Sequence, residues 1–242
     1  MDLQSLCDAG QRLLVATDYI GAETLLADAE RQAWELHDWD TLSRLYMPLQ
    51  EARRQKRQRC GEGVVKLDLH ATTARDVLEP NGIVEHFPHG QLVVAGWGSI
   101  EPARQVRQLA KERGLYLETM LAATFPTGDQ LVIAIVPTEH VALPPVDGRP
   151  IDALIRSLPP HTVVLPASGL VPGERVGDDV TYAETMALWE KLHAPFLAVA
   201  EHTTEPVRRM IEYRRVIEVD YACEIAHQNL SKCAHALRGR RL

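Results

Sequence analysis

The chain has 242 residues, 45% of them hydrophobic and 24% charged, and a formal net charge of −7. That is enough chain to bury roughly 70–75% of its unfolded surface, so a core needs no disulfide or metal to hold it. The acidic balance argues against a surface built to track nucleic acid or anionic lipid.

The chain opens Met1-Asp2-Leu3-Gln4 with no basic region leading into an apolar one, and nowhere do 18 apolar residues run together. The expected address is cytoplasmic, with no membrane partner. Cys7, Cys60, Cys223 and Cys233 are scattered without the close spacing of a zinc knuckle or a redox pair, so reduced thiols are expected.

Small and apolar residues recur at three- and four-residue steps from Leu3 to Tyr19 (Leu6, Ala9, Leu13) and from Gly21 to His37 (Ala22, Leu25, Leu26, Ala29, Ala33, Leu36). One stripe on each helix, made of small side chains, predicts an antiparallel hairpin. A third helix, about Thr41 to Gln58, carries Leu42, Leu45, Leu49 and Ala52 on one side and is interrupted by Pro48. Its last turns hold Arg53, Arg54, Lys56, Arg57 and Arg59, which read as a solvated basic run opposing the negative pole of the helix dipole. Arg238, Arg240 and Arg241 make a second such run.

After Gly63 the period becomes two. Val65, Leu67 and Leu69 alternate with Lys66, Asp68 and His70, as in a strand with one wet face. Leu92-Val93-Val94-Ala95 is continuously apolar, as in a strand covered on both sides. A helix over Pro102–Arg113 ends at Gly114, and strands over Leu115–Ala123 and Gln130–Val136 flank the turn Pro126-Thr127-Gly128-Asp129. The sheet should therefore be mixed. The Pro-rich loop from Leu143 to Pro150 leads to a short helix at Ile151–Ser157 and a strand at Thr162–Leu165, and Pro166 to Asp179 reads as an extended linker.

Helix returns at Thr181-Tyr182-Ala183-Glu184, with the spacing of a capping box. Pro195 interrupts it, Thr204-Glu205-Pro206 opens the next helix, and Tyr221–Leu237 forms the last, with Ala222, Ala226, Leu230, Cys233 and Leu237 on its buried stripe.

Leu6, Ala9, Gly10, Leu13, Asp18, Tyr19, Ala22, Leu26 and Ala29 at the front, and Tyr213, Val216, Ile217, Asp220, Ala226, His227 and Leu230 at the back, fall at packing positions that resemble tetratricopeptide-repeat helical hairpins. Leu6 and His227 stand where that repeat places its large tryptophan. The resemblance implies a layer of helices contributed by both termini and a protein or peptide partner of unknown identity. The fold expected is α/β with an α+β tendency: TPR-like helices in residues 1–60, an inserted mixed-sheet domain in 61–178, and helices in 179–242 packing with the first.

Candidate chemistry is concentrated at Val94-Ala95-Gly96-Trp97-Gly98-Ser99. There an apolar strand runs through two glycines into a helix, followed by a strand carrying Glu118. That order resembles the dinucleotide-binding βαβ unit, and the cofactor-binding candidates are Gly96, Gly98, Ser99 and Glu118. Glu101 occupies the third-glycine position, so a turn capped by Ser99 competes with the cofactor reading. Asp68, His70, His86 and His89 form a loose group of metal-capable donors whose spacing demands no metal, and Cys223 with His227, four apart, lie on one helical face as a possible thiol pair. No catalytic set, metal or cofactor is called. The function expected is a non-enzymatic interaction or scaffold protein, against an alternative of a nucleotide- or small-anion-binding enzyme or sensor at Gly96–Ser99. Nucleic-acid binding through the two basic runs is the weakest reading.

Overall fold

The structure, a computed structural model, describes residues 1–128 and 130–239. Asp129 of the expected turn and Arg240 and Arg241 of the second basic run lie outside the described residues. The chain is of the mixed α/β class and divides into two compact units: Met1–Gln58 with the segment from His193 onward, and Arg59–Leu192. Among the described residues, no helix is long and apolar enough to cross a membrane.

In the helical unit, α1 (Leu3–Val15) starts where the Asp2 carboxylate accepts from the Ser5 amide, and α2 (Tyr19–Glu35) where Asp18 accepts from Gly21. Each cap satisfies a first-turn donor that the helix itself cannot. Gly10 lies against Leu26 and Gly21 against Leu13, so the two helices run antiparallel. A Cβ at Gly10 would sit 2.7 Å from Leu26 Cγ, which is why this contact needs glycine. Leu6, Cys7, Ala22, Leu26 and Ala29 then pack on Leu45, Leu49 and Ala52 of α3 (Trp39–Gly61), which begins under an Asp38 cap and contains Pro48.

A second core joins Ala33, Trp39, Leu42 and Tyr46 to Met210, Tyr213 and Val216 of α8 (Pro206–Val219) and to Ala226, Leu230, Ala234 and Leu237 of α9 (Glu224–Leu237). Residues from both ends of the chain thus share one interior. The cap of α8 is the Glu205 carboxylate, which accepts from Val207 and Arg208, rather than the expected Thr204 hydroxyl.

The sheet unit is built on β1 (Val64–His70), β2 (Gly90–Trp97), β3 (Leu117–Thr127), β4 (Gln130–Ile135), β5 (Val163–Pro166) and β6 (Arg175–Val176), ordered β5-β4-β3-β2-β1-β6. The first three are parallel, and β4, β5 and β6 pair antiparallel. Two crossovers carry α4 (Pro80–His86) and α5 (Glu101–Glu112). Val84, Phe87, Val106 and Ala110 from these crossover segments pack with Leu92, Val94, Leu121, Phe125 and Val132 of the strands, and Leu154 of α6 (Ile151–Ser157) joins them. β2 is buried at every residue but Trp97, as a central strand covered on both faces must be.

Three expectations need correction in this unit. The stretch Pro166–Asp179 is not simply a linker: it holds a 3-10 turn at 167–169 and the edge strand β6, hydrogen-bonded to β1. His86, which no helical period marks in the sequence, ends α4, whose first turn begins at Pro80, where proline's missing N–H costs nothing. The helix α7 (Asp179–His202) is capped by Asp178 and Thr181, not by Thr181 and Glu184. Asp178 accepts from the Thr181 amide, and the Thr181 hydroxyl accepts from the Asp178 amide, each at 2.8 Å. Glu184 is instead paired with Arg175 at 2.7 Å.

Candidate functional site

The glycine turn after β2 brings together Gly96, Gly98 and Ser99 but not Glu118. In the β2–β3 register Gly96 lies beside Ala123, whereas Glu118 lies beside Gln91 at the opposite end of the strands and accepts from its side-chain amide at 3.0 Å. Five residues at about 3.3 Å each separate Gln91 from Gly96, roughly 17 Å. An acid that grips a ribose must stand at the same strand end as the phosphate loop, and Glu118 does not.

The turn's own amides are also committed. Gly98 N–H donates to Thr124 O at 2.9 Å, Ser99 N–H to Gly96 O at 3.4 Å, and the Ser99 hydroxyl accepts from Glu101 N–H at 3.2 Å. The next residue, Pro102, has no N–H. Gly98 adopts φ +60°, the left-handed conformation glycine tolerates, and a Cβ there would collide with Val146 of the covering loop. Glu101, at the third-glycine position, pairs with Arg104. The geometry is that of a capped strand-to-helix turn.

Among the described residues, Asp68, His70, His86 and His89 do not converge either. Asp68 pairs with Lys66 at 2.8 Å and accepts from Gly173 N–H, His86 faces Glu174, and His89 meets Arg59 O.

Two basic residues expected in solvent prove to be interior. Arg53 is 9% and Arg57 1% exposed. Asp220, in the turn between α8 and α9, receives Arg57 Nη1 at 2.6 Å and the Ala222 amide at 3.2 Å on Oδ1, and His193 of α7 at 2.6 Å on Oδ2. The Arg57 guanidinium also stacks over the Tyr221 ring, 4.8 Å from its centre. Burial would raise the Asp220 pKa, but Arg57 and then His193 outweigh it and bring it down to about 2. Burial likewise disfavours charge on His193, yet its hydrogen bonds to Asp220 and Cys223 raise its pKa to about 10. At neutral pH the site is therefore an arginine–carboxylate–imidazolium chain.

Cys223 completes this group. Among the described residues, donor atoms of His193, Asp220 and Cys223 lie within 4.8 Å of one another, and all three residues are buried. Cys223 is the residue before α9, and its amide donates to Asp220 O at 3.0 Å, which fixes the thiol beside the imidazole. The spacing that suggested a Cys223–His227 thiol pair has a different outcome. His227 Nδ1 donates to the Cys223 carbonyl at 2.8 Å, leaving Nε2 to accept from Arg53 at 3.2 Å. Burial and the neighbouring Arg53 push His227 down to about 3, so it stays neutral. His193 carried no local motif: its partners are 27 and 30 residues away, and only the fold brings them together.

A second feature lies on the face of α1 and α3. A cleft of about 50 Å³ is lined by Gln4, Cys7, Gln11, Thr41, Arg44 and Leu45, and it adjoins a shallower surface over Asp8, Gln11, Arg12 and Val15. Gln4, Asp8, Gln11 and Val15 follow each other at steps of four, three and four, one exposed stripe along α1. Val15 at its end is 86% exposed.

No protein-family model, curated protein or solved structure matches this chain. Function must be argued from these two sites.

Proposed function

We propose that the chain is a non-enzymatic interaction or scaffold protein whose helical unit, a TPR-like layer, takes a polypeptide segment of a partner along α1 and α3. The observation that carries this reading is the α1 stripe with its cleft. Gln4, Gln11 and Thr41 offer side-chain donors and acceptors of the kind a peptide backbone needs, Asp8, Arg12 and Arg44 supply both charge signs, and Val15 offers an apolar anchor. From residue 4 to residue 15 the stripe spans about 16 Å at about 1.5 Å per residue, the length of roughly five extended residues.

Replacing Gln11 with a photo-crosslinking amino acid should capture a partner that the same probe at Arg31, on the exposed face of α2, does not. Val15→Glu should abolish that capture while leaving the circular dichroism spectrum unchanged. Equal capture from both positions, or capture indifferent to Val15→Glu, would remove the groove reading.

A further inference from the structure

The group formed by Cys223, His193, Asp220 and Arg57 plays no part in the groove. Its parts are those of an oriented nucleophile. Asp220 is fixed by Arg57 and the Ala222 amide, and it holds Nδ1 of His193 at 2.6 Å. The Cys223 sulfur lies within 4.8 Å of the His193 and Asp220 donor atoms, at the N-terminal end of α9, where the helix dipole favours a negative charge. A carboxylate that orients a protonated histidine, with a sulfur beside both, places a proton donor next to a group that a peroxide can oxidise.

The same donors suit a tetrahedral metal poorly. Ligands at about 2.0–2.1 Å from a zinc ion lie roughly 3.3 Å apart. His193 Nδ1 and the Asp220 oxygen are already at 2.6 Å, and the carboxylate's other oxygen carries a guanidinium. Cys223 is 5% and His193 8% exposed, so the reagent that reaches the sulfur must be close to water in size.

We propose that Cys223 is a peroxide-reactive cysteine, set beside His193 and Asp220 and oxidised by hydrogen peroxide to a sulfenic acid. The sulfur attacks one peroxide oxygen, an S–O bond forms as the O–O bond breaks, and sulfur loses the two electrons that reduce the peroxide. The departing hydroxide takes the His193 proton and leaves as water, and the thiol proton passes to His193 in its place. The charged and titratable groups facing the thiol are His193 from α7, Arg57 from α3, Asp220 from the turn, and His227 through the Cys223 carbonyl, with Arg53 behind it.

The test treats the full chain with hydrogen peroxide for timed intervals, removes the peroxide with catalase, unfolds the chain in guanidinium containing dimedone so that the trap reaches every sulfur, and reads each cysteine by peptide mass spectrometry. Cys223 should be labelled at least about tenfold faster than Cys7, Cys60 or Cys233. His193→Asn keeps a donor where Nδ1 stands, so it should preserve the Asp220 bond but slow labelling of Cys223 about tenfold while leaving the rates at Cys7, Cys60 and Cys233 unchanged. Labelling of Cys223 no faster than that of Cys7, or a Cys223 rate unchanged in His193→Asn, overturns the proposal. Stoichiometric zinc on the purified chain, released as Cys223 becomes labelled, overturns it as well. Should His193→Asn fail to fold, the competition among the four cysteines of the unaltered chain still decides.

Discussion

In the helical unit the interior holds Arg57, Asp220, His193, His227 and Glu30 beside Tyr46, Met210 and Leu230, whereas the sheet unit fills its interior with Val94, Leu121, Phe125, Val132 and Leu154. The buried polar side chains of the sheet unit are mostly hydroxyls, at Thr119, Thr124, Thr127, Thr181 and Thr185, with Gln91 and Glu118 satisfying each other. The contrast follows from where the backbone hydrogen bonds go. A sheet ties distant segments together through its ladder, and side chains need only fill space. Helices satisfy their backbones internally, so their mutual register rests on side chains alone, and here ionic contacts between α3, α7 and the α8–α9 turn add direction to apolar packing that lacks it.

Removing one member of the ionic set should break the comparison most sharply. Arg57→Ala leaves Asp220 buried with His193 as its remaining cationic partner, and loss of one partner of a buried pair typically costs about 3–5 kcal/mol. In the sheet unit, Leu121→Ala is a cavity mutation in the range of about 2–5 kcal/mol. The two can be similar in size yet differ in kind. The Arg57→Ala loss should shrink below pH 4, where Asp220 begins to protonate in the unfolded chain, whereas the Leu121→Ala loss should hold constant with pH. Urea denaturation followed by probes in each unit, at pH 7 and pH 3.5, checks this, and pH-independent losses for both would mean the interior charge is not what holds the helices.

The pH profile of the unaltered chain sharpens the point. Asp220 has a folded pKa of about 2, below its ordinary value, so its contribution is present above about pH 4 and fades as pH falls toward 2. His227 is lowered from 6.5 to about 3, so its contribution is present above pH 6.5 and is lost as pH falls from there toward 3. His193 is raised to about 10, so its contribution is full below pH 6.5 and is lost as pH rises through 10. The helical unit should therefore lose stability on both sides of neutrality. His227→Gln, which keeps a polar group without the titrating ring, should flatten the limb between pH 6.5 and pH 4 and leave the alkaline limb in place. Melting temperatures across pH 4–10 measure both limbs, and an acid limb unchanged in His227→Gln would assign it elsewhere.

How much of this was legible beforehand depended on range. The helices α1 and α2, the strands β1 to β5, the α5 crossover and the antiparallel β3–β4 turn follow from periodicity and local punctuation at Gly114 and Gly128, because neighbours in sequence decide them. The edge strand β6 was not legible: two residues carry no period, and Arg175-Val176 becomes a strand only because β1 presents a free edge. The ionic cluster was hidden for the same reason. Arg57 sits in a run of five basic residues that looks like a solvated helix end, and nothing near it in sequence marks that it turns inward to Asp220, 163 residues away. The glycine turn misled in the opposite direction. Its residue types matched a phosphate loop, but Val146 and Thr124, which arrive from other segments, decide its surroundings, and Glu118 stands at the other end of the strands.

The smallest expected effect isolates burial as the variable. Arg104–Glu101 on α5 is an arginine–carboxylate pair at 2.8 Å, nearly the distance of Arg57–Asp220 at 2.6 Å, but its side chains are 50% and 45% exposed against 2% and 1%. Water already solvates both exposed partners, so the contact replaces interactions the unfolded chain also has, and holding two long side chains in one rotamer cancels much of what remains. Arg104→Ala should accordingly leave the urea midpoint within measurement error. Whatever small shift exists should vanish in 0.5 M salt, where the screening length falls to about 4 Å. The Arg57→Ala loss should survive the same salt, because ions cannot enter between Arg57 and Asp220. Equal salt sensitivity at the two sites would show that solvent reaches the buried pair, and the directional role assigned to it in the helical unit would go with it.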